Sequence, residues 1–142
     1  MTSTDSLRLM FEIFCHLGCF PTVNDDDSIS VQYQGENFHM EFKGSYVRIW
    51  DMSWININID DPDLPKIQKA VNIANFKFGP IAIMTNPDDE GIIGLHIRWD
   101  LRLHSAYPDN VQIVRDTLNY FFETQKNLIN IIVNFTPTVS DF

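Results

Sequence analysis

The sequence predicts an α+β fold in which helices pack on one face of an antiparallel sheet and leave the other face open. Three observations lead there. Apolar residues recur at three-and-four spacing around Leu7, Leu64 and Val114, the period of a helix with one buried side. Between these segments the period changes to two, the mark of a half-buried strand. The strands alternate cleanly between apolar and polar residues, and a sheet can be wet on one face only if all its helices cover the other.

The elements follow in the order α-β-β-β-α-β-β-α. Leu7, Met10, Phe11, Phe14 and Leu17 form one helical face. Thr4, Asp5 and Ser6 offer a cap, Gly18 a stop, and Pro21 prevents resumption, so the helix is expected over about Asp5 to Leu17. After an acidic loop, Ile29, Val31 and Tyr33 alternate with polar neighbours. Gly35 marks a turn, and Phe38, Met40 and Phe42 then alternate with His39 and Glu41. Lys43-Gly44-Ser45 is a second hairpin signal. The third strand places Val47 and Ile49 inward, with Tyr46, Arg48 and Trp50 outward, and resumes through Ile55, Ile57 and Ile59. Asp51 and Ser53 interrupt the inward row, which predicts a bulge or bend near Met52.

Asp60-Asp61-Pro62-Asp63 breaks the meander and offers acidic caps to a second helix carrying Leu64, Ile67, Ala70, Val71 and Ala74. Gly79-Pro80 closes that element, and Ile81 to Thr85 reads as a short strand. A turn over Asn86 to Gly91 leads to the most regular pattern in the chain. Leu95, Ile97, Trp99, Leu101 and Leu103 lie on one side, and His96, Arg98, Asp100, Arg102 and His104 on the other. The last helix presents Val111, Val114, Leu118, Phe121, Phe122, Leu128 and Ile132, and ends before Pro137 with a short tail. There is no linker, repeat or low-complexity segment, so a single domain over residues 1–142 is expected.

Composition narrows the function. Apolar residues make up 44% of the chain, with eleven Phe, which argues against disorder. The net charge of −9, from 19 acids and 10 bases, argues against a nucleic-acid partner, because such binding releases counterions through Lys and Arg. No apolar stretch approaches the roughly 20 residues that span a bilayer, and Met1 to Leu9 lacks the pattern of a leader. A cytoplasmic protein with no membrane partner is the expectation. Cys15 and Cys19 lack the two further ligands of a structural zinc site, and are expected as core or near-core thiols.

Nothing in the sequence points to catalysis. Gly91 and Gly94 lack the Lys-Ser/Thr ending of a phosphate loop, and no Gly-x-Ser-x-Gly elbow occurs. His16 is flanked too closely by Cys15 for the two to form a nucleophile–base pair on one helix. The carboxylate clusters at Asp25–Asp27, Asp60–Asp63 and Asp88–Glu90 fall at turns, where Asp is favoured for backbone bonding. His96 and His104 are eight residues apart on one strand, roughly 26 Å at strand rise, too far to share a metal. The expectation is a non-enzyme with no cofactor and no metal site.

The stretch Ala70-Val71-Asn72-Ile73-Ala74-Asn75, followed by a short strand, an acidic turn and a long strand, resembles the YbjN-like sensory-transduction regulators of bacteria. Members of that family carry a comparable Val-Asn-x-x-Asn stretch on the second helix. Their fold is similar to that of type III secretion chaperones, small acidic α+β proteins that commonly pair as homodimers. The resemblance implies a non-catalytic regulatory or binding module and supplies no catalytic residues. Asn72 and Asn75 are the family-like pair, either recognising a ligand amide or bonding the loop after the helix.

The open face is the other candidate. Its outward positions include Tyr46, Arg48, Trp50, His96, Arg98 and Arg102. Arginine beside exposed Trp and Tyr is the composition of binding hot spots, although cross-strand Arg–Asp and Arg–Glu pairs also serve simply to solvate a sheet. The expected function is therefore a protein-binding module, chaperone-like or regulatory, whose open face takes a protein or peptide segment or a second copy in a homodimer. The alternative is a small-ligand sensor with a pocket between helices and sheet near Trp54, Asn72 and Asn75.

Overall fold

The computed structural model describes residues 2–75 and 79–134. Its elements are α1 (Ser3–His16), β1 (Thr22–Val23), β2 (Ile29–Tyr33), β3 (Glu36–Phe42), β4 (Val47–Asn58), α2 (Leu64–Ala74), β5 (Ile81–Met84), β6 (Ile92–Leu101) and α3 (Asn110–Asn134). The strands form one antiparallel sheet in the order β1-β2-β3-β4-β6-β5. The predicted order of helices and strands is present, with one addition. The two-residue β1 is too short to show a period and was not legible in the sequence.

The chain gathers into two compact units, Met1–Met52 with Arg98–Asn119, and Ser53–Ile97 with Tyr120–Phe142. In the first, α1 begins earlier than expected because Thr2, and not Thr4 to Ser6, is the cap. The Thr2 hydroxyl accepts the Asp5 N–H at 3.1 Å, and the Asp5 carboxylate accepts the Thr2 N–H at 3.2 Å, a reciprocal capping box. Those bonds hold the Asp5 carboxyl below its ordinary range.

The far end of α1 closes with the Gly18 N–H on the Cys15 carbonyl and the Cys19 N–H on the Phe14 carbonyl. This is a Schellman stop with Gly18 at φ 81°. The buried side of α1 is Ser6, Met10, Ile13 and Phe14, turned slightly from the predicted Leu7–Phe11 face. That rotation leaves Cys15 exposed and Cys19 only half-buried, so Cys15 is not the core thiol expected. Burial, and secondarily Cys15, pushes the Cys19 thiol up.

Two hairpins fix the register. Gln34 and Gly35, at φ 49° and 84°, form a two-residue turn of the primed kind, whose twist matches its strands. Val31 then faces Phe38 and Ile29 faces Met40, while Ser30 faces His39 and Gln32 faces Asn37 on the other side. The second hairpin turns at Gly44 and sets Met40 opposite Ile49 and Phe42 opposite Val47. Ile29, Phe38, Met40, Val47 and Ile49 are essentially inaccessible to solvent. Asp51 does not interrupt the inward row as predicted, since it is only 2% exposed. The break falls at Ser53, which takes a left-handed φ of 51°.

In the second unit, Ala70, Val71 and Ala74 of α2 pack with Ile57, Ala82, Ile93, Leu95 and Leu128. Small alanines on α2 allow a close approach to the sheet, which larger side chains would prevent. Asp63 stands at the cap of α2 but makes no side-chain cap bond; Asp61 accepts the Asp63 N–H instead, at 2.8 Å. Asp88 likewise accepts from the Glu90 and Ile92 N–H groups, and Asp26 of the first unit from Ser28. The acidic clusters thus contribute side chains that shape turns, as their composition suggested. The tail expected beyond Pro137 lies outside the described residues.

An added Cβ at Gly18 would meet nothing within 4 Å, so the cost of Gly18→Ala is that of left-handed backbone alone. A loss of about 1–2 kcal/mol of unfolding free energy is expected, measured by urea titration; an unchanged midpoint would mean the helix stop relaxes to another geometry.

Candidate functional site

The outward side of the first unit carries an ordered set of aromatic and charged residues. The register places Glu41 opposite Arg48 and His39 opposite Trp50, so these side chains share one face of adjacent strands. The Arg48 guanidinium reaches Asp100 through two bonds, Nε to Oδ1 at 2.9 Å and Nη2 to Oδ2 at 3.2 Å. This paired geometry matches the planar fork to the carboxylate, and the Asp100 bonds hold the guanidinium proton more tightly than usual. The same guanidinium carbon lies 5.6 Å from the centroid of the Tyr46 ring.

A second chain of contacts runs beside it. Lys43 pairs with Glu41 at 3.0 Å, and the Trp50 indole N–H donates to the Glu41 carboxylate. Lys43 first, and Trp50 after it, keep the Glu41 carboxyl below its ordinary range against the opposing effect of burial. With its N–H held by Glu41, Trp50 presents a ring over which Arg98 lies, its guanidinium carbon 5.7 Å from the centroid. Such a contact contributes on the order of 0.5–1 kcal/mol when partly exposed. Tyr46, Arg48, Trp50 and Arg98, all singled out from the sequence, are therefore brought together and held half-buried.

The remaining expected positions are placed differently. Arg102 is not on a strand: β6 ends at Leu101 and Arg102 is exposed beyond it. His96 belongs to the second unit, where its Nδ1 accepts the Ser53 N–H at 2.6 Å. The ring has room because position 94 is glycine; a Cβ there would stand 3.1 Å from Nε2. Burial pushes the His96 imidazolium below its ordinary value, and an Nδ1 that accepts a hydrogen bond must be unprotonated.

Asn75 bonds the strand that follows its helix. Its amide donates to the Ala82 carbonyl at 2.8 Å and accepts the Ala82 N–H at 2.9 Å. The side chain thereby mimics a neighbouring strand for one residue of β5, the edge of the sheet, where unpaired backbone otherwise invites further strands. Asn72 is exposed on α2. Trp54 packs against the core cluster of the second unit.

Two residues were missed. Phe20 is 92% exposed and Met52 is 49% exposed, and they border a shallow groove floored by Ser30, Gln32, Asn37 and His39. The signal for Phe20 was present: an apolar residue outside any periodic pattern, between the Gly18 stop and Pro21. Among the described residues, no three His, Cys, Asp or Glu side chains come together to hold a metal ion. Among them, too, no helix is long and apolar enough to cross a membrane.

No family model matches this chain, and no curated protein sequence matches it significantly. Five chains of known structure do match. One is the crystal structure of YbjN from E. coli, a proposed transcription regulator. It aligns at a TM-score of 0.55 and 9% identity, over 89% of this chain and 87% of that one. The likeness is one of fold.

Asn75→Ala should leave the Ala82 N–H and carbonyl unpaired at a half-buried edge and cost about 1–3 kcal/mol; a urea midpoint equal to that of the parent would contradict this bonding role. For His96, the folded imidazole binds a proton less readily than an ordinary one, whose value is about 6.5. As pH falls from about 6.5 toward the lower folded value, the unfolded chain takes up more protons and stability is lost. The urea midpoint should therefore drop between about pH 7.5 and about pH 5.5, and drop less in His96→Gln. Equal drops in both proteins would refute the assignment.

Proposed function

We propose that this chain is a non-catalytic protein-binding domain of regulatory or chaperone-like type. Its working surface is the outward sheet face around Trp50, which receives a protein segment or a second copy of the chain. The observation that carries this reading is the Arg98–Trp50 stack, with the indole N–H already held by Glu41. An aromatic and an arginine that are ordered before any partner arrives have little entropy left to lose on binding, and these residue types dominate interface energetics. Phe20, almost fully exposed, borders one groove with the exposed Met52, and apolar surface gathered in this way is what an interaction site offers. The fold likeness to YbjN, a proposed transcription regulator, is compatible with a regulatory role, and membership of the YbjN-like family is part of the proposal.

The test is a selection from a random peptide display library against the whole chain, with counter-selection on Trp50→Ala. Peptides that bind the parent and lose binding to Trp50→Ala are expected, with cooperative unfolding of the variant checked in urea. Light scattering over a range of concentrations reads the homodimer form of the same reading, in which Trp50→Ala shifts a dimer to monomer. Recovery of no peptide that depends on Trp50, together with a monomer at all concentrations, would sink the proposal.

A further inference from the structure

We propose that the partner segment is acidic, and that a carboxylate of an extended peptide docks on Arg98 with an apolar side chain two residues away in the groove between Phe20 and Met52. This rests on the protein-binding reading above and adds the chemistry of the partner. The argument begins with the pairing of charges on the face. Lys43 is matched by Glu41 and Arg48 by Asp100. Among the described residues, Arg98 makes no ion pair, and its one described interaction is with the Trp50 ring. A ring face holds a guanidinium in place but supplies no lone pairs, so the five N–H donors remain for an acceptor from elsewhere. A half-buried cation oriented by a ring, without a carboxylate, is a position prepared for an anion.

The groove supplies the second contact. Trp50 faces His39 across the β3–β4 pair, and His39 lies on the floor of the groove, whose volume is about 370 Å³. Trp50 and Met52 are two residues apart on β4, a separation of roughly 7 Å at strand rise. Arg98 lies over the Trp50 ring, so an extended peptide with a carboxylate at position i above that ring directs its side chain at i+2, roughly 7 Å on, toward Met52 and the groove. The surrounding charges set the selectivity. Glu41 and Asp100 flank the stack and repel a continuous polyanion such as a nucleic-acid backbone more strongly than a single carboxylate, their own charges being matched by Lys43 and Arg48. The chain as a whole carries −9, which disfavours an acidic partner over much of its surface.

The experiment uses the full chain and three pools of ten-residue synthetic peptides. Each pool has Leu fixed at one position and Glu, Gln or Lys fixed two residues before it, with the other positions randomised; binding is read by fluorescence anisotropy. The Glu pool should bind about tenfold or more tightly than the Gln pool, the scale of one charge-assisted hydrogen bond. That preference should vanish in Arg98→Ala, persist in part in Arg98→Lys, and invert toward the Lys pool in Arg98→Glu. Equal binding of the Glu and Gln pools, or a preference that survives Arg98→Ala, overturns the acidic assignment while leaving Trp50-dependent binding of other peptides intact. Tighter binding of a single-stranded DNA oligomer than of the Glu pool overturns it as well. Failure of the display selection removes both readings together.

Discussion

The structure depends on one-sided burial in an antiparallel sheet whose side chains alternate across the pleat. Once Ile29, Val31, Phe38, Met40, Val47 and Ile49 are committed to the inner face, every intervening residue is committed to the outer one. A slip of one residue in either hairpin would turn the whole apolar set outward. The tight turn at Gln34–Gly35 and the left-handed Gly44 prevent that slip by setting which residues face each other. The outward row is therefore not a free choice of the surface; it is the complement of the core.

The same constraint explains how an ordered surface arises without burial. Glu41 and Arg48 are opposite each other, and Trp50 is diagonal to Glu41, because the hairpin register puts them there. Diagonal reach lets the indole N–H find a carboxylate, and that bond turns the ring into a platform for Arg98. Each pair contributes little by itself in contact with water. Their joint effect is geometric, holding two aromatic rings and two guanidinium groups in definite positions. In the second unit Asn75 does a different task, pairing with Ala82 so that β5 does not present a bare edge at that residue.

Acidic residues, which dominate the charge of the chain, have a mostly local role. Asp26, Asp61 and Asp88 bond the N–H groups of residues a few positions ahead, and Asp5 completes a capping box. These are short-range interactions governed by sequence spacing, which is why their turns were readable from composition. Asp51 is the exception. It sits inward in β4 and is buried, and no local rule distinguishes such a carboxylate from one that interrupts a strand.

Alternation and helical spacing, which depend only on neighbours along the chain, determined the order of the longer elements, the inward rows of β2, β3 and the start of β4, and the outward membership of Tyr46, Arg48, Trp50 and Arg98. Ile59, expected inward, lies beyond the end of β4 and is exposed. Local sequence also determined the Gly18 stop and the hairpins, since left-handed backbone at a turn favours glycine. What the chain could not express by itself was which outward residues touch. The match of Arg48 to Asp100, 52 positions apart, and the stacking of Arg98 on Trp50 depend on the register and lateral order of strands. Arg102 fell off the face because β6 stops at Leu101, and Cys15 turned to solvent because α1 rotates to bury Ile13. In each case the deciding quantity was packing against a distant segment, which periodicity along one strand or helix does not contain.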